Sequence, residues 1–367
     1  MHDDNYYMSR AIELAKQATG FTTPNPLVGA VIVKDDRIIA EGLHRKYGEL
    51  HAERDALSVC KESAEGATLY VTLEPCCHHG KQPPCVDAII EAGISRVVVG
   101  SPDPNPLVAG KGNKILRAHG IQVDEDVMRK ECDAINYVFL HYITTGLPYV
   151  VMKYAMTMDG KIAAYTGDSK WVTGEEARYN VHEDRHRYTA IMAGIGTVLA
   201  DNPSLTCRIE GKKNPIRIIC DSKLRIPLSS TLVETANEVR TIIATCVSDE
   251  EKYKPYIDKG CEMLFTNEKD GRVDLNELMV SLGKMRIDSI LLEGGGTLNW
   301  SALNSGIVNR VQTYIAPKII GGECAPSAVR GCGFKKMSEA IKLTNTSVRK
   351  LGDDYLIESE VIKCSQE

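Results

Sequence analysis

His51-Ala52-Glu53, then Val71-Thr72-Leu73-Glu74-Pro75-Cys76, then Pro83-Pro84-Cys85 form the stretch that decides how this chain is read. One His and two Cys supply three ligands of the kind zinc takes. Three protein ligands leave one tetrahedral position for water, which separates a catalytic zinc site from a closed structural one. Glu53 stands two residues after His51, near enough to serve that water as acid and base without being a ligand. The expected metal ligands are therefore His51, Cys76 and Cys85, with Glu53 as the catalytic carboxylate. Cys77, His78 and His79 lie between the two cysteines as rival ligands. Cys76 is preferred because it directly follows Pro75, and Cys85 because it opens the next helical pattern. A closed Cys/His zinc knuckle is the plainer alternative, but it leaves Glu53 without a purpose.

H-x-E followed by P-C and a second Cys is the signature of zinc deaminases that act on amino-substituted heterocycles. Those that act on bases in nucleic acids commonly carry P-C-x-x-C; here the second Cys comes nine positions after the first. The flanking pattern alternates helix and strand. Tyr6 to Ala18 reads as a helix, Val28 to Val33 and Ile38 to Gly42 as paired strands, and His51 to Ser63 as a helix. Thr68 to Leu73 is a strand that delivers Glu74-Pro75-Cys76 at its carboxyl end. Pro84 to Ala92 is a helix and Arg96 to Gly100 a strand. Lys111 to His119, Ile121 to Val123 and Met128 to Ile143 complete the unit. Both ligand segments then fall at helix starts beside a sheet, where α/β proteins place sites.

Thr144-Thr145-Gly146-Leu147-Pro148 breaks the pattern and sets an expected boundary, residues 1–146 against 147–367. Beyond it, Tyr149 to Ala155 is a strand, and Asp159-Gly160 signals a hairpin into Lys161-Ile162-Ala163. Further strands are expected at 190–193, 216–220, 241–245, 262–265, 289–292 and 310–315, with helices at 175–186 and 275–285. Glu293-Gly294-Gly295-Gly296 is a glycine-rich strand-to-helix turn. It is either a tight connection or a place where backbone N–H groups meet a phosphate. Ala193 to Thr197 is a second glycine-bearing turn, and Leu199 to Arg208 a polar loop holding Asp201. Trp171 is either a core residue or a platform for a flat ring.

The net charge of −5 argues against a nucleic-acid polyanion as main partner. No run approaches the roughly 20 apolar residues that span a bilayer. Met1 to Tyr6 shows no signal-peptide pattern, and twelve cysteines without one predict reduced thiols and a cytoplasmic protein.

Together these segments resemble one family, the bifunctional riboflavin-biosynthesis deaminase/reductases. In the first half the likeness rests on Thr23-Pro24-Asn25-Pro26, His51-Ala52-Glu53, Leu73-Glu74-Pro75-Cys76, His78-His79-Gly80, Pro83-Pro84-Cys85 and Asp103-Pro104-Asn105-Pro106. In the second half it rests on Met158-Asp159-Gly160-Lys161, Ser169-Lys170-Trp171, Gly196 to Pro203, Leu205 to Arg208, Glu293-Gly294-Gly295 and Ala316-Pro317-Lys318. Cys77 departs from the family, which usually has Ser there.

The resemblance implies a cytidine-deaminase-like three-layer α/β first domain and a dihydrofolate-reductase-like α/β second domain. It implies zinc and NADPH as cofactors and a phosphorylated aminopyrimidine as substrate. That substrate is 2,5-diamino-6-(5-phosphoribosylamino)pyrimidin-4(3H)-one, which loses an amino group by hydrolysis before its ribosyl chain is reduced to ribityl. It implies a homo-oligomer and no nucleic-acid or membrane partner. Deaminase substrate contacts fall on Asn25, His44, Lys81, Asp103 and Asn105; surface charge for Lys81 and turn chemistry for the asparagines are the bland readings. NADPH contacts fall on Ala155, Trp171, Thr197, Asp201, Ser222, Gly294, Gly295 and Gly296. Reductase substrate contacts fall on Lys153, Ser169, Arg185, Leu205, Arg208 and Glu293. Arg185 and Arg208 are read as phosphate forks, Lys153 and Asp201 as candidates for proton handling. The alternative activity is deamination alone, with a second domain that only binds ligand.

Overall fold

The computed structural model describes residues 2–80 and 82–362. The chain divides into two compact units, Met1–Gly146 and Leu147–Glu367.

The first unit is built on a five-stranded sheet in the order β2-β1-β3-β4-β5: β1 (Gly29–Lys34), β2 (Arg37–Leu43), β3 (Thr68–Leu73), β4 (Arg96–Ser101) and β5 (Gln122–Asp124). β1 pairs antiparallel with β2 and β3, while β3, β4 and β5 run parallel. Side chains alternate across each strand. Ala30, Ile32, Leu69, Val71 and Val97 therefore face one way, and Val31, Val33, Tyr70 and Val98 the other. α1 (Asp4–Gln17) begins where Asp3 accepts from the Tyr6 amide at 2.9 Å, satisfying one free N–H of the first turn. It packs Tyr7, Met8 and Ala11 on the second face, joined by Cys132 of α5 (Arg129–Ile135). α2 (Ala52–Val59), α3 (Cys85–Glu91) and α4 (Lys111–Ala118) cover the first face through Ala52, Ala56, Val86, Ile89 and Leu116. The unit is a three-layer helix–sheet–helix sandwich.

Two expectations need correction here. The helix expected over His51 to Ser63 stops at Val59. The one expected over Met128 to Ile143 is two helices, α5 and α6 (Tyr137–Thr145). Asn136 separates them. Its amide pairs with the Leu27 backbone, donating to the carbonyl at 2.9 Å and accepting from the N–H at 2.8 Å. A side chain that satisfies a distant strand end competes with helix continuation.

The second unit carries nine strands in the order β10-β9-β8-β7-β13-β6-β14-β16-β15. These are β6 (Tyr149–Thr157), β7 (Ala190–Gly194), β8 (Ile216–Cys220), β9 (Thr241–Thr245), β10 (Glu262–Phe265), β13 (Ser289–Leu292), β14 (Val308–Ala316), β15 (Leu343–Leu351) and β16 (Asp354–Val361). β11 (Glu268–Lys269) and β12 (Arg272–Val273) form a separate ribbon. From β10 to β14 neighbours run parallel; β16 and β15 close the edge antiparallel. The parallel strands read as continuous apolar runs because both faces are covered. α11 (Leu275–Lys284) and α12 (Gly296–Asn304) pack on Val150, Met152, Met192 and Ile290. α8 (Ile195–Asp201), α9 (Thr231–Glu234) and α10 (Glu250–Asp258) pack on Ile191, Ala193, Ile219 and Ile243. α7 (Glu175–Arg187) lies over Tyr314 and Leu356 through Ala177 and Val181.

The expected hairpin at Asp159-Gly160 closes over a single rung, with Gly160 N–H donating to Thr157 O at 2.9 Å and Thr157 N–H to Lys161 O at 2.9 Å. Lys161 makes an isolated bridge to Ser327 instead of a strand on β6. The chain then turns to the 325–327 segment, where Ile162 N–H donates to Pro326 O at 2.9 Å and Lys161 Nζ to Ala325 O at 3.2 Å. The polar loop expected from Leu199 begins inside α8.

Candidate active sites

In the first unit three short segments converge. His51 caps α2 in extended backbone, β3 ends into Glu74-Pro75-Cys76, and Cys85 opens α3. The Cys85 and Val86 amides donate to Cys76 O at 3.0 and 3.2 Å, so the start of α3 clamps the Cys76 backbone. His51 Nδ1 lies 3.4 Å from the sulfurs of both Cys76 and Cys85. Tetrahedral zinc with ordinary Zn–N and Zn–S bonds requires an N···S edge of about 3.5 Å. The trio therefore fits zinc, and it is the group of metal-ligating side chains found close together among the described residues. Cys77 is not part of it. Its sulfur faces Leu107 O at 3.7 Å. The hydrogen bond from Cys85 draws Cys76 toward the thiolate, with His51 adding to it.

Glu53, in the first turn of α2, is 3% exposed. Burial lifts its carboxyl to about 6, and the neighbouring Cys76 charge pushes the same way. A carboxyl poised there exchanges protons near neutral pH. The His44 ring meets the His51 ring edge to face, 5.3 Å between centroids. His44 Nδ1 faces Leu50 O at 2.8 Å, which makes it the N–H side and leaves Nε2 to accept from Asn25 Nδ2 at 3.1 Å. Asp103 is buried and accepts from the Asn105 amide at 2.8 Å; burial raises its carboxyl to about 6. The structure thus gathers Asn25 and His44 at the metal trio, and places Asp103 close enough to feel the Cys76 charge. Lys81 lies outside the described residues.

In the second unit the C-terminal end of β13 delivers Glu293. Arg185 of α7 grips its carboxylate with two N–H bonds, Nε at 2.7 Å and Nη2 at 3.0 Å, and Lys153 Nζ of β6 stands 3.8 Å away. Burial alone would raise the Glu293 carboxyl, yet Arg185 and Lys153 hold it at about 2. Burial in turn lowers Lys153. Arg185 is only 14% exposed and also donates to Thr206 O at 3.0 Å, so it is neither a solvated surface charge nor a free fork. One hydrogen remains on each Nη for a ligand.

Gly294 and Gly295 follow directly, and Gly296 starts α12. A Cβ on Gly295 would lie 3.7 Å from Thr197 Oγ1, so the α8 start and the glycine turn face each other. Leu205 is buried with φ of 50°, beside Thr206. Other expected contacts lie less centrally. Trp171 is 59% exposed, with the Arg178 guanidinium 4.7 Å from its ring centroid. Ala155 packs toward the Tyr314 cluster. The Ser222 hydroxyl, just past β8, accepts from the Val273 amide at 3.0 Å. Asp201 and Arg208 are exposed, and Ser169 is half-buried in the 158–173 segment.

Residues 1–101 match the family model of the cytidine and deoxycytidylate deaminase zinc-binding region. Residues 148–357 match that of the RibD C-terminal domain. The riboflavin biosynthesis protein RibD of Actinobacillus pleuropneumoniae is 55% identical over 356 residues, covering 97% of this chain and 95% of its own. The chain belongs to the RibD family. Solved RibD structures agree with that. Acinetobacter baumannii RibD superposes with a TM-score of 0.88 at 38% identity, covering 98% of this chain and 99% of its own. A Thermotoga maritima protein described as a diaminohydroxyphosphoribosylaminopyrimidine deaminase/5-amino-6-(5-phosphoribosylamino)uracil reductase gives 0.87 at 40% identity, with 98% of both chains covered. Two further residues at these sites carry no role legible in the sequence. They are Glu74, visible there only as part of a motif, and Tyr314, whose ring centroid lies 5.5 Å from Lys153 Nζ.

Proposed function

We propose that the chain catalyses two consecutive steps of riboflavin biosynthesis, a hydrolytic deamination in the first unit and an NADPH-dependent reduction in the second. The substrate is 2,5-diamino-6-(5-phosphoribosylamino)pyrimidin-4(3H)-one and the final product 5-amino-6-(5-phosphoribitylamino)uracil. The carrying observation is the buried Glu53 beside an open-sided His51, Cys76, Cys85 donor set of zinc dimensions.

Zinc, when bound by that trio, acts as a Lewis acid and makes a water ionisable near neutral pH. Glu53 takes the proton of the attacking water and hands protons to the ring nitrogen and the departing ammonia. Asn25 and His44 hold the pyrimidine edge from one side, Asp103 and Asn105 from another, and Lys81 completes the substrate contacts.

NADPH, when bound, supplies the hydride that reduces C1′ of the ribosyl chain. Thr197 and the Gly294, Gly295 and Gly296 turn approach the cofactor, with Ala155, Trp171, Asp201 and Ser222 around it. Lys153 and Arg185, held by Glu293, present N–H groups to the sugar and its phosphate. Ser169, Leu205 and Arg208 line the same substrate. Lys153, a buried ammonium with its proton loosened, is the group nearest to a proton donor here. A homo-oligomer in the cytoplasm without nucleic-acid partners belongs to the same reading; among the described residues no helix is long and apolar enough to cross a membrane.

The test is the product mass with and without NADPH. Without it, the product gains about 1 Da as an amino group gives way to oxygen, and ammonia appears. With it, about 2 Da more are gained as NADPH is consumed. A chelator should stop the first change while leaving reduction of deaminated substrate intact. Absence of NADPH oxidation with deaminated substrate would leave a deaminase only.

A further inference from the structure

Glu74 directly follows β3, two residues before Cys76, and is 3% exposed. No cation faces it. Its carboxylate is instead filled by backbone amides from one segment. Oε1 accepts from Gly112 at 3.1 Å and Asn113 at 3.4 Å; Oε2 accepts from Gly110 at 2.9 Å and Asp103 at 3.4 Å. Three of these amides open α4, where a carboxylate meets unsatisfied N–H groups and the positive end of the helix dipole. The Glu74 amide itself donates to Ser101 O at 2.9 Å, fixing the strand end from which the side chain springs. Packing repeats the constraint, since any side chain on Gly112 would strike the Pro75 carbonyl.

The segment so fastened, 103–113, carries Asp103 and Asn105. Asp103 accepts from the Asn105 amide at 2.8 Å, and Asn105 Oδ1 from the Leu107 amide at 3.1 Å, so the turn is hydrogen-bonded within itself. One carboxylate thus bolts this turn to the backbone that also presents Cys76. The amide donors point Glu74 away from proton chemistry, which falls to Glu53.

We propose that Glu74 is a positioning residue of the deaminase, setting Asp103 and Asn105 at their working distance from the metal trio. Its loss weakens capture of the pyrimidine and leaves metal and proton transfer in place. This rests on reading Asp103 and Asn105 as substrate contacts.

The test uses the full, zinc-loaded enzyme and compares Glu74→Gln, Asn105→Ala and the double variant. Ammonia release gives kcat and KM, metal analysis gives zinc per chain, and NADPH oxidation with deaminated substrate checks the second unit. Glu74→Gln should raise KM about tenfold and change kcat less than about threefold, with zinc and NADPH oxidation unchanged. The double variant should raise KM by clearly less than the product of the two single effects, because both disturb the Asn105 contact and only the Asp103 part of the Glu74 effect remains to add. If Glu74→Gln does not fold, Glu74→Asp keeps the charge but is too short to reach all four amides, and should show the same KM rise. Multiplying KM effects overturn the proposal, as does zinc loss in step with activity. If Asn105→Ala raises KM and neither Glu74 variant does, the substrate reading stands and the Glu74 role alone falls. If Asn105→Ala leaves KM unchanged, the substrate reading falls first and takes this proposal with it.

Discussion

Replacing Glu293 by Gln removes the carboxylate that is ion-paired with two buried cations in the second unit. Arg185 and Lys153 are 14% and 15% exposed in their side chains, so the charges left behind have little water to turn to. The native carboxyl sits at about 2 against an ordinary 4.5. At about 1.4 kcal/mol per pKa unit, that displacement corresponds to about 3 kcal/mol, in the range expected for breaking a buried pair by removing one partner. The folded value is depressed, so this stabilisation is fully present above pH 4.5 and is lost as pH falls toward 2. At pH 3 about 1 kcal/mol of it should remain. Both tryptophans, Trp171 and Trp300, lie in the second unit, so urea unfolding followed by their fluorescence reports on it selectively. The expected result is a wild-type advantage of about 3 kcal/mol at pH 7 that shrinks steadily below pH 4.5. A difference under about 1 kcal/mol at pH 7, or one that does not change with pH, would refute the view that Glu293 is the electrostatic keystone of this site.

Two further predictions concern the separate chemistries. Glu53→Gln should retain zinc and reduce deaminated substrate normally while ammonia release falls roughly 100- to 10,000-fold; deamination within about tenfold of wild type would remove Glu53 from the acid/base role. Gly296→Ala would place a methyl 2.7 Å from Ser327 O and 2.5 Å from Arg330 Cγ. The strain of about 1–3 kcal/mol at the α12 start should raise the KM for NADPH without affecting deamination, and an unchanged KM would argue that the glycine turn lies away from the cofactor.

Much of the first site was legible as local pattern. His51, Glu53, Cys76 and Cys85 sit at an H-x-E spacing and after a P-C, and α/β periodicity placed both ligand segments at helix starts. The choice of Cys76 over Cys77 rests on the preceding Pro75, and the trio His51, Cys76, Cys85 agrees with it. Cys76 and Cys77 are neighbours in sequence, and only the fold turns one toward His51 and the other toward Leu107 O. The phosphate-fork reading of Arg185 met a different limit. Glu293 lies 108 positions away in the chain, and nothing local signals that it takes two of the guanidinium donors. The shortened hairpin at Asp159-Gly160 has the same origin, since a turn signal does not show that the chain beyond it pairs with the distant 325–327 segment.

What the amino-acid sequence settled by itself was the set of chemical groups and the repeating pattern of secondary structure: the metal-ligand types, the acid two residues away, the buried parallel strands and the break near Gly146. Periodicity and motif spacing act over a few residues, and so survive without a fold. What tertiary structure decided was charge and contact between segments far apart in the chain: the Lys153–Glu293–Arg185 cluster, the Glu74 bolt across 103–113, and the split of one expected helix by Asn136 reaching Leu27. Each depends on burial, which removes water and forces a polar group to find its partner wherever the fold brings one.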